Sequence, residues 1–368
     1  MQEQQLKDTV GQFDIQGTVA SVKPLGAGHI NDSYKVVTES GAPDYVLQCI
    51  NHYIFKNVDA LQDNIRRVTD HIRAKLTAAG VKDVEKRVLR LAPARDGKLY
   101  HKDADGNYWR ILYFIPDSQG YDEGITPELA LHAGRAFGDF QAMLADLPGA
   151  PLVETIPNFH NMESRLVTFR QAVKDDKAGR LAKTLYIQYM VDEIEKRADE
   201  MCKAERMHRE GMLPKRINHC DTKVNNVLFD KNNHVLCVVD LDTVMPGYVL
   251  SDFGDFMRTG ANTGKEDDPD LDRISIDMKI FEAYTKGYLE KAKSFLLPVE
   301  TDNLAFGAKL LTYMQTVRFF ADYLDGDLYY KIHSPEHNWQ RTVAQFKLLQ
   351  SMEENFGEMC RIVAEAAK

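Results

Sequence analysis

A chain of 368 residues is long enough for more than one compact unit, and 44% hydrophobic with 27% charged residues matches an ordinary globular protein rather than a disordered or collagen-like one. No uninterrupted apolar stretch approaches the roughly 18 residues of a membrane span. With 46 Lys and Arg against 55 Asp and Glu, the formal charge of -9 disfavours nucleic acid as the main partner.

The amino-terminal MQEQQLKDTV has no apolar core and reads as neither a secretory signal nor a transit peptide, so a cytoplasmic location is expected. Short strands are predicted at 21–25, 32–38 and 45–50, separated by turn signals such as Glu39-Ser-Gly-Ala-Pro43. A helix is predicted at 59–79, followed by strands at 88–91 and 108–115. Near residue 117 the apolar period changes. Leu129, Ala133, Ala136, Phe137, Phe140, Leu144 and Leu147 recur at spacings of three and four, with Pro127 suited to a first helical turn. Further helices are predicted at 160–175, 183–210, 273–292, 301–325 and 338–366. Among them sits a β-rich insert, 216–242, whose segments 225–229 and 234–239 read as a hairpin around Asp230-Lys-Asn-Asn233. The expected class is α+β: a small β-rich lobe over 1–116 and a larger, mainly helical lobe over 117–368 that carries the inserted hairpin. The five cysteines form no CxxC pair, and their odd number and wide spacing read as reduced thiols.

The chemistry concentrates in His219-Cys-Asp221-Thr-Lys223-Val-Asn-Asn226 and in Val238-Val-Asp240-Leu-Asp242. Phosphoryl transfer needs a carboxylate to orient an attacking hydroxyl and accept its proton, and a cation near the moving group. It also needs an amide oxygen and a second carboxylate as oxygen ligands for magnesium. Asp221, Lys223, Asn226 and Asp240 supply these four, and a hairpin returns Asp240 towards Asn226. The alternative is that His219 and Asp221 cap a loop and Asp240 ends a strand.

This pattern resembles the HxDxxxxN loop of protein-kinase-like folds, in the form used by aminoglycoside phosphotransferases and related small-molecule kinases. More narrowly, Gly26-Ala-Gly28-His-Ile-Asn-Asp32-Ser-Tyr34, the 219–226 segment and Asp240-Leu-Asp-Thr-Val-Met-Pro-Gly247 are similar to the N-acetylhexosamine 1-kinase family. The resemblance implies a protein-kinase-like two-lobed fold, with a nucleotide-binding first lobe and a catalytic, acceptor-binding second lobe. It implies ATP and Mg2+ as cofactors and transfer to the anomeric C1 hydroxyl of N-acetylglucosamine or N-acetylgalactosamine. A sugar and ATP are then the partners, without nucleic acid or membrane. Asp221 and Lys223 become the catalytic pair, and Asn226 and Asp240 the metal ligands. The literal Asp252-Phe-Gly254 spells the metal-binding tripeptide of protein kinases, yet it falls after the hairpin at a predicted helix start. Ser251 or Asp252 is expected to cap that helix, and by resemblance Asp252 is structural.

At the nucleotide end, Gly26 and Gly28 flank a turn between strands, where missing Cβ atoms permit backbone approach to phosphates. The turn is neither a Walker A loop nor a Rossmann fingerprint. Asn31, Gln48, Phe114 and Ile115 are the other expected nucleotide contacts. Gln48 stands where a phosphate-binding lysine is expected, and the 59–79 helix has no glutamate to pair one, only Asp63, Asn64 and Asp70. Tyr113, Phe114 and Ile115 offer adenine an apolar wall, or pack as an edge strand. At the acceptor end, Gln315, Arg318, Asp322 and Asp325 make a polar helical stripe that lines a sugar site or faces water with an i,i+4 pair. The resemblance adds Arg318, Asp322, Tyr329, His29 and Asp242 as sugar contacts, with support of the magnesium shell as the other role for Asp242. Trp109 and Trp339 are candidates for stacking on a sugar ring, with core packing the expected role. Related kinases for homoserine, choline, methylthioribose or aminoglycosides, a nucleotide-binding pseudokinase, and a metal-dependent hydrolase are the competing readings. The hydrolase lacks an HxxxH ligand pair.

Overall fold

A computed structural model describes residues 2–26, 30–39 and 41–368. In chain order its elements are α1 (Glu3–Val10), β1 (Val19–Pro24), β2 (Asp32–Thr38), β3 (Tyr45–Ile50), α2 (Val58–Ala78), β4 (Leu91–Ala92), β5 (His101–Lys102), β6 (Tyr108–Tyr113) and α3 (Pro127–Leu144). There follow α4 (Met162–Asp175), α5 (Leu185–Met201), α6 (Lys203–Arg209), β7 (Arg216–Asn218), β8 (Val227–Phe229), β9 (Val235–Val238) and β10 (Met245–Gly247). The chain ends with α7 (Val249–Gly260), α8 (Met278–Ala292), α9 (Pro298–Asp302), α10 (Leu304–Asp325), α11 (His337–Glu354) and α12 (Phe356–Ala366). It divides into two units, one of residues 1–120, 146–157 and 227–245, the other of 121–145, 158–226 and 246–368.

In the first unit an antiparallel sheet runs in the order β1-β2-β3-β6-β4, with β5 also on β6. Alternation buries Tyr45 and Leu47 on one face of β3, where they join Val22, Val36, Trp109 and Ile111. Helix α1, which the sequence reading passes over, closes this core with Leu6 and Val10, an i,i+4 pair too short to register as a period. The predicted strand at 88–91 shrinks to a two-residue pairing. Val88 and Leu89 are buried as loop residues, and the apolar run reflects burial rather than a ladder. Register sets Gln48 opposite Ser33 on one side and Arg110 on the other. Helix α2 starts at Asn57, whose side chain accepts the Ala60 N–H (3.0 Å), and buries Leu61, Ile65, Val68 and Ile72. The hairpin β8–β9 packs with this unit, and Asp230 Oδ1 accepts the N–H groups of Asn232 and His234 across its turn.

The second unit is helical. Thr126 caps α3 through the Leu129 N–H (3.2 Å), and Pro127 occupies the first turn as expected. Three long predicted helices are each two in the structure, parting at Cys202, Asn303 and Asn355, because apolar periodicity continues across a bend that backbone geometry does not. Helix α7 lies against α10 so closely that a Cβ at Gly254 would strike the Gly307 carbonyl. This approach holds α7, which carries Asp252 and Asp255, on the buried α10. Trp109 is buried and donates its ring N–H to Asp103, and Trp339 packs on Phe320 and Tyr323. The cysteines are free thiols. No helix among the described residues is long and apolar enough to cross a membrane.

Candidate active site

The loop after β7 carries Asp221, Lys223 and Asn226, and side chains from α7 hold it by its backbone. Asp252 accepts the N–H groups of His219 (2.7 Å) and Cys220 (2.8 Å), and Asp255 accepts that of Thr222 (3.0 Å). Thr222 Oγ1 returns a bond to the Asp252 carbonyl, and Gln141, itself bonded by Tyr288, donates to Asp252 (2.8 Å). This grip sustains Cys220 at φ 64°, a left-handed conformation costly for a residue with a Cβ. Asp252 is therefore a loop clamp. It is not the helix cap expected from sequence, since α7 begins earlier, after Tyr248, and the carboxylate reaches across to the loop. Burial pushes its carboxyl up to about 6, opposed by His219, the two loop N–H groups and Gln141.

The side chains of Asp221 and Lys223 take no part in that grip. Asp221 Oδ1 lies 3.0 Å from Lys223 Nζ, each side chain a little over one quarter exposed. Burial raises the Asp221 carboxyl, but Lys223 beside it, with His219 and Arg258, outweighs that and keeps it below the ordinary carboxylate value. Burial works against the Lys223 ammonium too, and Asp221, Asp255 and Glu266 together hold its pKa above the ordinary value. Both groups are charged at neutral pH. Asn226 Nδ2 donates to the Asp221 carbonyl (2.8 Å) and to Asp221 Oδ2 (3.2 Å), which leaves Oδ1 for a ligand. His219 serves the loop: its ring meets Phe137 and Phe140 edge-on, and its Nδ1 accepts the Asp221 N–H (3.3 Å).

Further along the same unit, Arg318 on α10 lies over the rings of Phe159 (5.0 Å), Tyr330 (5.6 Å) and Tyr329 (5.8 Å), and bonds Gln315 Oε1 (3.0 Å). Asp322 does not present a free carboxylate. It accepts the N–H groups of Leu328, Tyr329 and Tyr330 and the Asn338 amide, and so fixes the segment that carries Tyr329. Asp325, predicted on the same stripe, pairs with Lys177. His160, stacked on Phe159 at 4.5 Å, has a buried Nδ1 with no hydrogen-bond partner. Burial first, then Arg318 and Arg165, hold its imidazole far below the ordinary pKa, while Asp221 pulls the other way. His160 thus feels both the Asp221 loop and the Arg318 stripe, and it is neutral at physiological pH. Arg165, which grips the Phe159 carbonyl through Nε and Nη2, is lowered to about 10 by burial and by Arg318.

In the first unit Gly26 has φ 65° and open space around its missing Cβ, so the turn needs glycine there for conformation. Gly28 and His29 lie outside the described residues. Asn31 is buried, donating to Asp242 Oδ2 (2.6 Å) and accepting the Asn51 N–H (2.9 Å). Gln48 bridges strands, with Nε2 on Ser33 Oγ (2.9 Å) and Oε1 accepting Arg110 Nε (2.9 Å). Arg110 Nη1 in turn lies 2.5 Å from Asp242 Oδ1, both side chains nearly inaccessible. Asp242, expected at the sugar, serves Asn31 and Arg110 in this arrangement. The Phe114 N–H goes to the Asp44 carbonyl (2.9 Å), with Lys35 over its ring, and buried Ile115 accepts from Ser118 through its carbonyl (2.7 Å). Asp240 sits at φ 58°, ψ 60°, immediately before the one-turn helix Leu241–Thr243. Val227 pairs with Val238, so Asn226 enters and Asp240 leaves at one end of the hairpin. An amide oxygen and a carboxylate are hard donors suited to magnesium.

Sequence reasoning missed Arg110, Asp255, Arg258, Arg165 and His160. Arg110 carried a signal: it is the one charged residue in the apolar strand Tyr-Trp-Arg-Ile-Leu-Tyr. Asp255 and Arg258, bonded at 2.9 Å on α7, carried only an i,i+3 spacing.

An antiparallel sheet unit joined to a helical one, with the Asp221 loop held by the helix that follows the hairpin, is the protein-kinase-like α+β arrangement. A model of the phosphotransferase enzyme family, APH, matches residues 21–287, and the chain belongs to that family. Among solved structures, an aminoglycoside phosphotransferase from Alicyclobacillus acidocaldarius is similar at 11% identity, covering 98% of this chain and 96% of its own, with a TM-score of 0.58. Spectinomycin phosphotransferase, solved with ADP and spectinomycin, is similar at 15% identity, covering 100% and 98%, with a TM-score of 0.52. Plasmodium vivax ethanolamine kinase follows at 13%, covering 92% and 84%, with a TM-score of 0.53. At these identities the likeness is one of fold.

Proposed function

We propose that this phosphotransferase moves the γ-phosphoryl group of ATP to the C1 hydroxyl of an N-acetylhexosamine, N-acetylglucosamine or N-acetylgalactosamine. Asp221 orients that hydroxyl and takes its proton as the oxygen attacks phosphorus and the bond to ADP breaks. An anomeric hydroxyl is more acidic than an ordinary alcohol, so orientation is the larger part of the Asp221 role. Lys223 stabilises charge on the moving group. Asn226 Oδ1 and the Asp240 carboxylate are the ligands for Mg2+, which when bound neutralises phosphate charge. Gly26, Gly28, Asn31, Gln48, Phe114 and Ile115 are proposed for the nucleotide, with residues 1–116 as the nucleotide-binding part and 117–368 as the catalytic part. Arg318, Tyr329 and His29 are proposed to contact the sugar directly, Asp322 to hold Tyr329, and Asp242 to support the metal ligands.

The observation that carries the phosphoryl step is the Asp221–Lys223 pair, ionised and braced by the Asn226 amide. For the acceptor, the support is the set of groups around His160. Arg318, set over the Phe159, Tyr329 and Tyr330 rings, and the neutral His160 imidazole stacked on Phe159 supply hydrogen-bonding groups beside apolar rings, which suits a polyhydroxyl acceptor. Coupled measurement of ADP release across free sugars, N-acetyl sugars and amino alcohols tests the reading. Magnesium-dependent turnover with an N-acetylhexosamine and none with choline is expected. Turnover with choline or an aminoglycoside, and none with the sugars, would overturn it.

A further inference from the structure

The turn that carries Asp240 is held differently from the Asp221 loop. Its first residue, Asp240, is left-handed, a conformation that aspartate adopts more readily than most, and side-chain contacts fix the residues that follow it. Those contacts come from four places in the first unit. Arg110 of β6 and Asn31 before β2 hold the two oxygens of Asp242, at 2.5 and 2.6 Å. Thr155 Oγ1 donates to the Asp242 carbonyl (2.9 Å). Asn64 of α2 donates to the Val244 carbonyl (3.1 Å) and is itself fixed by both backbone groups of Val153. Arg110 is the only cation in this set. Its Nε is aimed by Gln48, which is anchored by Ser33 on the next strand. A lysine at 48 would set a second buried cation beside Arg110, which gives a physical reason for glutamine there.

We infer that Arg110, oriented by Gln48 and acting through Asp242, is a positioning residue that fixes the turn presenting Asp240 to the metal. The inference rests on the proposed metal role of Asp240. It assigns to a buried Arg110–Asp242 pair the task of tying the sheet to that turn. Asp242 stands two residues after Asp240, so its side chain pins the far side of the turn while Asp240 begins it. Partners of this outer kind orient metal ligands and commonly change metal affinity when removed.

The test uses the full chain. Arg110→Met alone would leave Asp242 as a buried unpaired carboxylate, so the informative variant is the double Arg110→Met/Asp242→Asn, which removes both charges together. Two readouts apply: Mn2+ binding in the presence of ADP, followed by water-proton relaxation, and hydrogen exchange of the 240–244 amides in metal-free protein. The expected result is native circular dichroism with Mn2+ affinity about tenfold to a hundredfold weaker, and faster exchange confined to that turn. Arg110→Lys keeps the charge but not the planar fork, and is expected to fall between the double variant and wild type in both readouts. Should the double variant fail to fold, Arg110→Lys decides by the same pair of measurements. Wild-type Mn2+ affinity and wild-type exchange in a folded variant would overturn the inference. Failure of the metal reading shows separately, as Asp240→Asn retaining wild-type Mn2+ affinity.

Discussion

The Asp221 loop and the Asp240 turn are held in place by different kinds of contact. The loop is gripped from outside: Asp252 and Asp255 take its backbone N–H groups, and the Asp221 and Lys223 side chains pair with one another. The turn is gripped through the Asp242 side chain, by Arg110 of β6 and by Asn31, and through the Asp242 and Val244 carbonyls, by Thr155 and Asn64. The grip of Asp252 and Asp255 spares the side chains of Asp221 and Lys223, whereas in the turn the Asp242 side chain itself carries two of the holding contacts, from Arg110 and Asn31. Substitutions in the loop should therefore separate chemistry from folding, and substitutions of the clamp should not.

Asp221→Asn gives the largest expected effect, a fall in kcat on the order of 10^2 to 10^4. Its melting temperature and ATP affinity should stay near wild type, and calorimetry with steady-state kinetics would show both. A parallel loss of stability would break the contrast, because it would make the loop's side chains part of its scaffold. Asp252→Ala should do the reverse, stranding three donors and lowering stability by on the order of 3 kcal/mol in urea denaturation. Activity would fall with the folded fraction.

Lys223→Met tests the pair itself, with kcat lowered by about 10^2. Lys223 holds the Asp221 carboxyl below its ordinary value. Its removal should raise that pKa and move the acidic limb of the kcat/KM profile to higher pH. An unmoved limb would place the titrating group elsewhere. The smallest effect is expected at the acceptor, where Arg318→Gln should raise the KM for the sugar by about tenfold while leaving that for ATP unchanged.

Much of this was legible in the sequence, for physical reasons that differ by region. The strands at 32–38 and 45–50 coincide with the observed β2 and β3, because alternation and turn residues bound them on both sides. The 219–226 and 240–242 motifs stand in consecutive stretches whose chemistry shows in residue type, and the hairpin read between them is the observed β8–β9 pair. What spacing does not disclose is which partner claims a polar side chain. Asp322 reads as a sugar contact or a solvated stripe residue, and its carboxylate closes a loop by accepting backbone N–H groups. Gln48 reads as a missing lysine, and only the alignment of β3 with β6 reveals that the cation stands one strand over, at Arg110. Such pairings are decided by tertiary register, which a linear pattern does not carry.

The most direct measurement of the central claim is phosphorus NMR of the product formed from ATP, Mg2+ and N-acetylglucosamine, alongside the Asp221→Asn variant. A phosphomonoester coupled to the anomeric proton, formed by wild type and nearly absent with the variant, is the predicted spectrum. Phosphate on another hydroxyl, or equal product from both proteins, would contradict the account.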